Sequence, residues 1–323
     1  MSQWGAEERA SAGETHEQIL SFYYPGTEIG TAPSATMRVL LAERPRLTVG
    51  SRAAFRLVQA NGASDLLAAG HEIVTAAGLA GRRLTFPIRL MPKDAPLMLG
   101  GNAYQGTFEV ILAGSKLELV NSLPLEQYVA DVVSVENPAY WPQEALRAQA
   151  IASRSYALAS VRASAAFDVY SDNRSQNYRG LRKECTSAEA AASSTRGQVL
   201  RYDGAIVPAF FTAANGGMTS NTDDVWQGQA VPYLTSRPDP FDARSPDSNW
   251  GPVGVTMSVL RQKFPNLPST VVQIDVVRNS GDRITSISFV GDNGLSYSVD
   301  GATFQQRLDL RSTYATLTAA YGG

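Results

Sequence analysis

The stretch LPLEQYVADVVSVENPAYWPQEALRAQAIASRSYALAS, residues 123–160, decides the fold of this chain. Apolar residues recur in its first half at intervals of three and four, a spacing that predicts an amphipathic helix. The helix is expected to stop at Asn137-Pro138, because a proline ring cannot continue it and restricts the preceding residue. Pro142 suits the first position of a second helix, which is rich in alanine. Two helices joined at a corner are therefore predicted, with Glu136 at the joint.

Glu136 ends the apolar stripe of the first helix, whereas Gln127, Asp131 and Ser134 are expected on its polar face. Placing a carboxyl group among apolar side chains costs free energy unless the group has a partner or a function. Burial also disfavours the charged form, which suits a carboxyl group to donate a proton near neutral pH. Two interpretations of Glu136 remain open on this pattern: a general acid, or a structural group that caps the corner or pairs with Arg154.

Aromatic residues suggest that the ligand of such an acid is a carbohydrate, because aromatic faces can stack on sugar rings. These residues are Trp141, Tyr156, Trp226 and Tyr233. Most glycosidases use a pair of carboxylates. The candidates for a second carboxylate are Asp131, Asp172, Asp223 and Asp224. No spacing in the sequence pairs any of them with Glu136.

The composition argues against several classes of function. The chain has 323 residues, 44% hydrophobic and 18% charged, as expected of one large or two modest folded domains. Its net charge of −2 gives no reason to expect nucleic acid or an anionic membrane as a partner, and no apolar run is long enough to span a bilayer. Cys185 is the single cysteine, which excludes an internal disulfide and a cysteine zinc cluster. His16-Glu17 lacks the second histidine of a metalloprotease motif, so a partly solvated histidine is expected.

The rest of the chain alternates between strand-rich and helical segments. Residues 37–121 have the pattern of short strands separated by glycine turns, which predicts a small barrel or sandwich. A hairpin over 198–212 is expected to turn at Asp203-Gly204. The remaining predicted elements are helices at 14–24, 186–196, 258–264 and 303–308, and strands at 270–277, 283–290 and 295–298. This mixture predicts an α+β protein.

The segment Asn215-Gly216-Gly217 follows the hairpin. Glycine carries no side chain, so such a loop can bring backbone amides close to a ligand. The local sequence alone favours a plain tight turn, because Asn-Gly marks turns generally.

The motifs of the chain resemble those of the SpoIID/LytB family, the stage II sporulation protein D type of peptidoglycan lytic transglycosylase. The matching segments are LPLEQYV at 123–129, VENP at 135–138, EALRAQA at 144–150, SRSYAL at 153–158, QNYRG at 176–180, TRGQVL at 195–200, NGG at 215–217, VW at 225–226 and PYL at 232–234. The resemblance implies a SpoIID-like catalytic core over 122–323, with the central helix pair and β-hairpins. It also implies a β-rich subdomain over 37–121 and a segment over 1–36 that packs on the core.

The resemblance implies cleavage of the bond between N-acetylmuramic acid and N-acetylglucosamine, with Glu136 as the catalytic glutamate. Glu136 would protonate the bridging oxygen, and the 6-hydroxyl of the muramic sugar would attack C1 and return its proton to the same glutamate. The product is a 1,6-anhydro end, so no second carboxylate is required. The residues expected to bind the glycan are Gln149, Arg154, Tyr156, Gln176, Tyr178, Asn215, Gly216, Gly217, Trp226 and Tyr233. The alternative is a non-catalytic cell-wall-binding or amidase-enhancing module.

The resemblance also sets expectations about cofactors, partners and location. Many relatives carry a His-Cys pair, associated with zinc, where this chain has Arg174 and Ser175, so no metal or other cofactor is expected. The expected partners are peptidoglycan glycan strands and, for the amidase-enhancing alternative, a cell-wall amidase; nucleic acid is not expected. An extracytoplasmic location, secreted or associated with the cell wall, is implied.

The segment MSQWGA at residues 1–6 resembles the one that usually closes the family domain. A permuted, actinobacterial-type variant is therefore expected, with Met1 an internal methionine of a longer protein whose export signal lies upstream.

Overall fold

The computed structural model describes residues 1–79, 81–182, 186–225, 230–246 and 248–318. Its helices are α1 (Gln3–Ser11), α2 (His16–Tyr23), α3 (Leu125–Glu136), α4 (Gln143–Ala159), α5 (Thr186–Ser194), α6 (Thr222–Val225), α7 (Met257–Lys263) and α8 (Gly301–Arg307). Its strands are β1 (Glu28–Thr31), β2 (Thr36–Arg44), β3 (Arg46–Ser51), β4 (Phe55–Gln59), β5 (Ser64–Leu67), β6 (Gly70–Thr75), β7 (Gly78–Leu79), β8 (Ile88–Pro92), β9 (Leu97–Leu99), β10 (Asn102–Tyr104), β11 (Thr107–Ala113), β12 (Lys116–Pro124), β13 (Val169–Tyr170), β14 (Gln198–Tyr202), β15 (Ala205–Ile206), β16 (Val271–Arg278), β17 (Ile284–Gly291) and β18 (Ser296–Asp300). The α+β class predicted from the sequence is confirmed.

The chain forms two compact units. The central unit comprises Arg9–Phe22 and Gly26–Phe211, and the terminal unit comprises Met1–Glu8, Tyr23–Pro25 and Thr212–Gly323. The domain boundaries expected from the sequence after residues 36 and 121 remain a prediction. Among the described helices, none has both the length and the apolar character needed to cross a membrane.

The central unit contains the β-rich region that the sequence predicts. A seven-stranded sheet has the order β13-β2-β12-β11-β8-β4-β5, and a five-stranded sheet has the order β10-β9-β3-β6-β7. The long strand β12 pairs antiparallel with β2, with Leu123 opposite Met37, and both side chains are buried. Because β12 ends at Pro124 and α3 begins at the next residue, the sheet fixes where the helix pair starts.

Helices α3 and α4 confirm the predicted pair, and α5 packs against both. The small side chains of α4 allow this close approach, and most of the helix is buried. One prediction about α3 is wrong: Asp131, expected on a polar face, is only 1% exposed. Helix α5 lies against α3 and removes this carboxyl group from solvent.

The terminal unit contains a three-stranded sheet, β16-β17-β18, with the two short helices α7 and α8. Its core consists of Leu260, Phe264, Ile284, Ile287, Phe289, Val299 and Phe304. These elements agree closely with the sequence predictions. In the central unit, the hairpin turns as predicted, but β15 stops at Ile206. Pro208 follows shortly and has no amide hydrogen with which to extend the ladder.

Candidate functional site

Glu136 lies at the carboxyl end of α3, where the chain turns into the corner before α4. Its neighbour Asn137 is extended, and the Asn137 amide closes the helix on the carbonyl of Val133 at 3.0 Å. The Glu136 side chain is half-buried. Its Oε1 accepts a hydrogen bond of 2.8 Å from the backbone amide of Asn177, far along the chain. The corner therefore presents a carboxyl group with one oxygen fixed by a backbone donor.

The residues on either side of Asn177 are anchored in the interior. Gln176 is 1% exposed, and its Oε1 accepts a hydrogen bond of 3.0 Å from the hydroxyl of Tyr128 on α3. Tyr178 is 2% exposed and donates its hydroxyl to Asn121 at 2.6 Å. Sequence resemblance suggested that Gln176 and Tyr178 contact the glycan, but both side chains are buried. The Asn177 amide brings this segment to Glu136, whereas the resemblance could not reveal which way its side chains point.

Arg154 and Gln149 on α4 are also interior residues rather than surface contacts. The fully buried Arg154 guanidinium forms a two-pronged pair with Glu126, at 3.0 and 2.7 Å, and donates to the carbonyl of Gln198 at 3.0 Å. The structural alternative that pairs Arg154 with Glu136 is therefore wrong. Gln149 is 1% exposed and donates to Ser153 at 3.1 Å. Arg154 thus links α4 to α3, whereas Gln149 bonds within α4, and the burial of both side chains argues against the expected contact with substrate.

The aromatic residues near the α3 corner and on α4 differ in how far they are exposed to solvent. Tyr156 is half-buried, and its ring meets the edge of Phe210 with centroids 5.7 Å apart. Trp141, expected near the ligand, is buried. Its neighbour Tyr140 is 81% exposed and stands in the same corner as Glu136. Tyr140 was not among the residues predicted from the sequence, although two large aromatic residues in so short a turn are difficult to bury together.

The candidates for a second carboxylate have other surroundings. Burial raises the pKa of Asp131 to about 7, although Gln127 donates a hydrogen bond of 3.0 Å to its Oδ1. Asp172 forms a two-pronged pair with Arg174, whose guanidinium lowers the pKa of this carboxyl group. Asp223 lies on α6 in the terminal unit and is exposed. The side chain of Asp224 and all of Trp226 lie outside the described residues.

In the terminal unit, the backbone amides of the Asn-Gly-Gly loop bind a carboxylate of the same chain, that of Asp242. The amides of Asn215, Gly216 and Gly217 donate to Oδ2 of Asp242 at 3.1, 2.7 and 3.2 Å. Gly216 and Gly217 have φ values of +75° and +91°, which glycine adopts without strain. The expectation that these amides serve a glycan is therefore corrected. Tyr233, in the same unit, is only 8% exposed, and burial raises the pKa of its hydroxyl.

One group of side chains among the described residues has donor atoms close enough to hold a metal ion: His16, Glu17 and Glu144. His16 Nδ1 lies 2.6 Å from Glu144 and Nε2 lies 3.2 Å from Glu17, so the imidazole ring lies between two carboxylates. Arg147 forms an ion pair with Glu144. His16 is thus a partly buried residue in the first turn of α2, as expected, and it lies beside two carboxylates. At the positions where relatives carry the His-Cys pair, Arg174 is exposed and Ser175 accepts a hydrogen bond from the Tyr170 amide.

Comparisons with known proteins match the segment that carries Glu136. The family described as Stage II sporulation protein, SpoIID, matches residues 113–202. An uncharacterized protein of Brachyspira hyodysenteriae is 37% identical over 139 residues, which cover 42% of this chain and 38% of that protein. Stage II sporulation protein D of Bacillus subtilis is 33% identical over 147 residues, 39% of this chain and 42% of the relative. The Amidase enhancer of the same organism is 33% identical over 137 residues, 41% of this chain and 17% of the relative.

This chain thus spans well under half the length of each of these relatives. The matched region begins at the end of β11 and runs through α3, α4, the Asn177 loop and β14. Residues 113–202, which include the corner that carries Glu136, are thus similar to the SpoIID family.

Proposed function

We propose that this chain acts on the bacterial cell wall as a peptidoglycan lytic transglycosylase, with Glu136 as its single acid and base. The observation that carries the proposal is the half-buried carboxyl group at the α3 corner, with Oε1 held by the Asn177 amide. The exposed ring of Tyr140 in the same corner offers an apolar face to a sugar. The family match over residues 113–202 supports a role in the cell wall, and an extracytoplasmic location follows from that substrate.

The proposed reaction needs one carboxyl group because the nucleophile belongs to the substrate. Glu136 donates its proton to the oxygen that bridges N-acetylmuramic acid and N-acetylglucosamine, and the bond from C1 to that oxygen breaks. The 6-hydroxyl of the muramic sugar forms a new bond to C1 and gives its proton to Glu136. No water is consumed, and the carboxyl group ends in its starting state. An intramolecular nucleophile also avoids the entropic cost of bringing in a second reactant.

The surroundings of the other acids agree with this scheme. An inverting or retaining glycosidase would need a second carboxylate about 5 to 10 Å from the first, aimed at the same bond. Asp131 is buried beside Gln127, and Asp172 is engaged by Arg174. A single-acid mechanism therefore fits these described carboxylates better than a two-acid mechanism does.

A second candidate function is a non-catalytic module that binds the cell wall or assists an amidase. The similarity to the protein named Amidase enhancer favours it. In that case the Glu136 corner would bind glycan without cutting it.

Digestion of peptide-stripped glycan strands, followed by mass spectrometry of the products, separates the two functions. The wild type should release fragments with 1,6-anhydro ends, and Glu136→Gln should lower the rate by at least about 100-fold. Glu118→Gln is the matched control, because it makes the same change at a half-buried position on β12. Glycan binding without anhydro product in the wild type would favour the second function. Full activity in Glu136→Gln would show that the assignment of the acid is wrong.

A further inference from the structure

We infer that Gln176 is a positioning residue, which together with Tyr178 keeps the Asn177 amide on the Glu136 carboxyl group. The inference deepens the proposed function and rests on it. It assigns the Gln-x-Tyr segment to the support of the acid, rather than to contact with the sugar. Three observations lead to it: the hydrogen bonds of Gln176, those of Tyr178, and the amide between them.

Gln176 joins the loop to both helices of the pair. Its Oε1 accepts from the Tyr128 hydroxyl on α3 at 3.0 Å, and its Nε2 lies 3.5 Å from the Ser153 carbonyl on α4. Tyr128 is fully buried, and burial raises the pKa of its hydroxyl, so the group stays protonated and can donate. A side chain that links two helices in this way fixes the backbone that follows it.

Tyr178 anchors the other side of the loop to β12. Its hydroxyl donates to Oδ1 of Asn121 at 2.6 Å. The orientation of the Asn121 amide is itself fixed, because Nδ2 donates to the carbonyls of Gln105 and Thr107 at 2.9 and 3.1 Å. The Tyr178 amide also closes the loop on the carbonyl of Ser171 at 3.1 Å. The chain is thus held one residue before and one residue after Asn177.

The Asn177 amide, held between these anchors, lies 2.8 Å from Glu136 Oε1. A hydrogen bond from N–H to a carboxylate is stronger than one to a neutral acid. The contact therefore strengthens when Glu136 releases its proton to the leaving oxygen. It also fixes the rotation of the carboxyl group, which sets the direction in which the proton is delivered. Loss of the anchor should thus impair the chemical step more than substrate binding.

The test compares Gln176→Met with wild type by NMR and by kinetics. Methionine has a similar length but cannot form either hydrogen bond. The amide signal of Asn177 should move, and its exchange with solvent should rise by at least about tenfold as the loop loosens. With stripped glycan as substrate, kcat should fall on the order of 10- to 100-fold, while KM stays within about twofold.

Two further variants separate positioning from general destabilisation. Tyr128→Phe removes the donor to Gln176 with little change in volume, and it should shift the Asn177 signal and kcat in the same direction. Thr195→Val removes another buried hydroxyl, which donates to the Ala191 carbonyl at 2.8 Å, and it should lower stability without changing kcat. An unchanged Asn177 amide in Gln176→Met overturns the inference, and so does a changed amide with normal kcat. If the wild type makes no anhydro ends, the proposed function fails, and the amide signal still decides whether Gln176 holds the loop.

Discussion

The free energy of unfolding of Asp131→Asn, taken relative to that of the wild type, should be higher at alkaline pH than at acidic pH. The carboxyl group of Asp131 is 1% exposed, and burial raises its pKa from 3.8 to about 7. The folded protein therefore binds a proton at this site that the unfolded chain releases. Because the folded state then carries more protons, wild-type stability falls as the pH rises from about 4 to about 7. Asparagine cannot ionise, so the variant lacks this loss.

The size of the effect follows from the same pKa values. At about 1.36 kcal/mol per pKa unit, ionising Asp131 in the folded state costs about 4 kcal/mol above pH 8. Part of that cost is already present at pH 5, because the carboxyl group is ionised in the unfolded chain and must take up a proton when the protein folds. The stability difference between Asp131→Asn and wild type should therefore be about 2 to 3 kcal/mol more favourable at about pH 8 than at about pH 5. Asparagine keeps the acceptor for Gln127, and any penalty from its buried amide hydrogens is the same at both pH values.

Urea denaturation of wild type and variant at the two pH values measures this difference directly. Asp172→Asn is the control, because Arg174 lowers the pKa of Asp172 from 3.8 and this carboxyl group is ionised in both the folded and the unfolded state at the two pH values. The stability difference between Asp172→Asn and wild type should therefore be the same at both pH values. An Asp131→Asn effect that is the same at both pH values would refute the reasoning, since Asp131 would then ionise as readily in the folded protein as in the unfolded chain.

Arg154→Met should lower the free energy of unfolding by about 3 to 5 kcal/mol, because it leaves Glu126 without its bidentate partner and two interior carbonyls without their donor. A loss below about 1 kcal/mol in urea denaturation would contradict the structural role given to Arg154. Tyr140→Ala should leave stability within about 0.5 kcal/mol, since the side chain is 81% exposed, but weaken binding to stripped glycan roughly tenfold. Tyr140→Phe keeps the ring and should bind like wild type, whereas unchanged binding in the alanine variant would remove Tyr140 from the site.

The parts of the structure that the sequence predicted best depend on local signals. Proline and apolar spacing were enough to predict α3, α4 and the corner at Glu136, and alternation was enough for the strands of both units. The failures involve burial by distant segments. Asp131 is buried because α5 packs on that side of α3, and Arg154 forms its ion pair with Glu126 rather than with Glu136. Helical spacing says which residues share a face, but it does not say which faces the rest of the chain will cover.

The same limit applies to the Asn-Gly-Gly segment, where a loop suited to a ligand serves the fold. Asp242 lies 26 residues beyond Gly216, yet its carboxylate accepts the amides of all three loop residues. The hydroxyl of Ser2 donates to the other carboxylate oxygen, so one buried acid joins three segments that are far apart in sequence. The glycines are needed because their positive φ angles turn consecutive amides toward one point. The loop and Asp242 thus stabilise the fold together, and neither is needed to account for the proposed catalysis. The proposed catalysis therefore depends on the α3 corner, where a half-buried carboxyl group is held by a backbone amide and lies close to an exposed aromatic ring in the sequence.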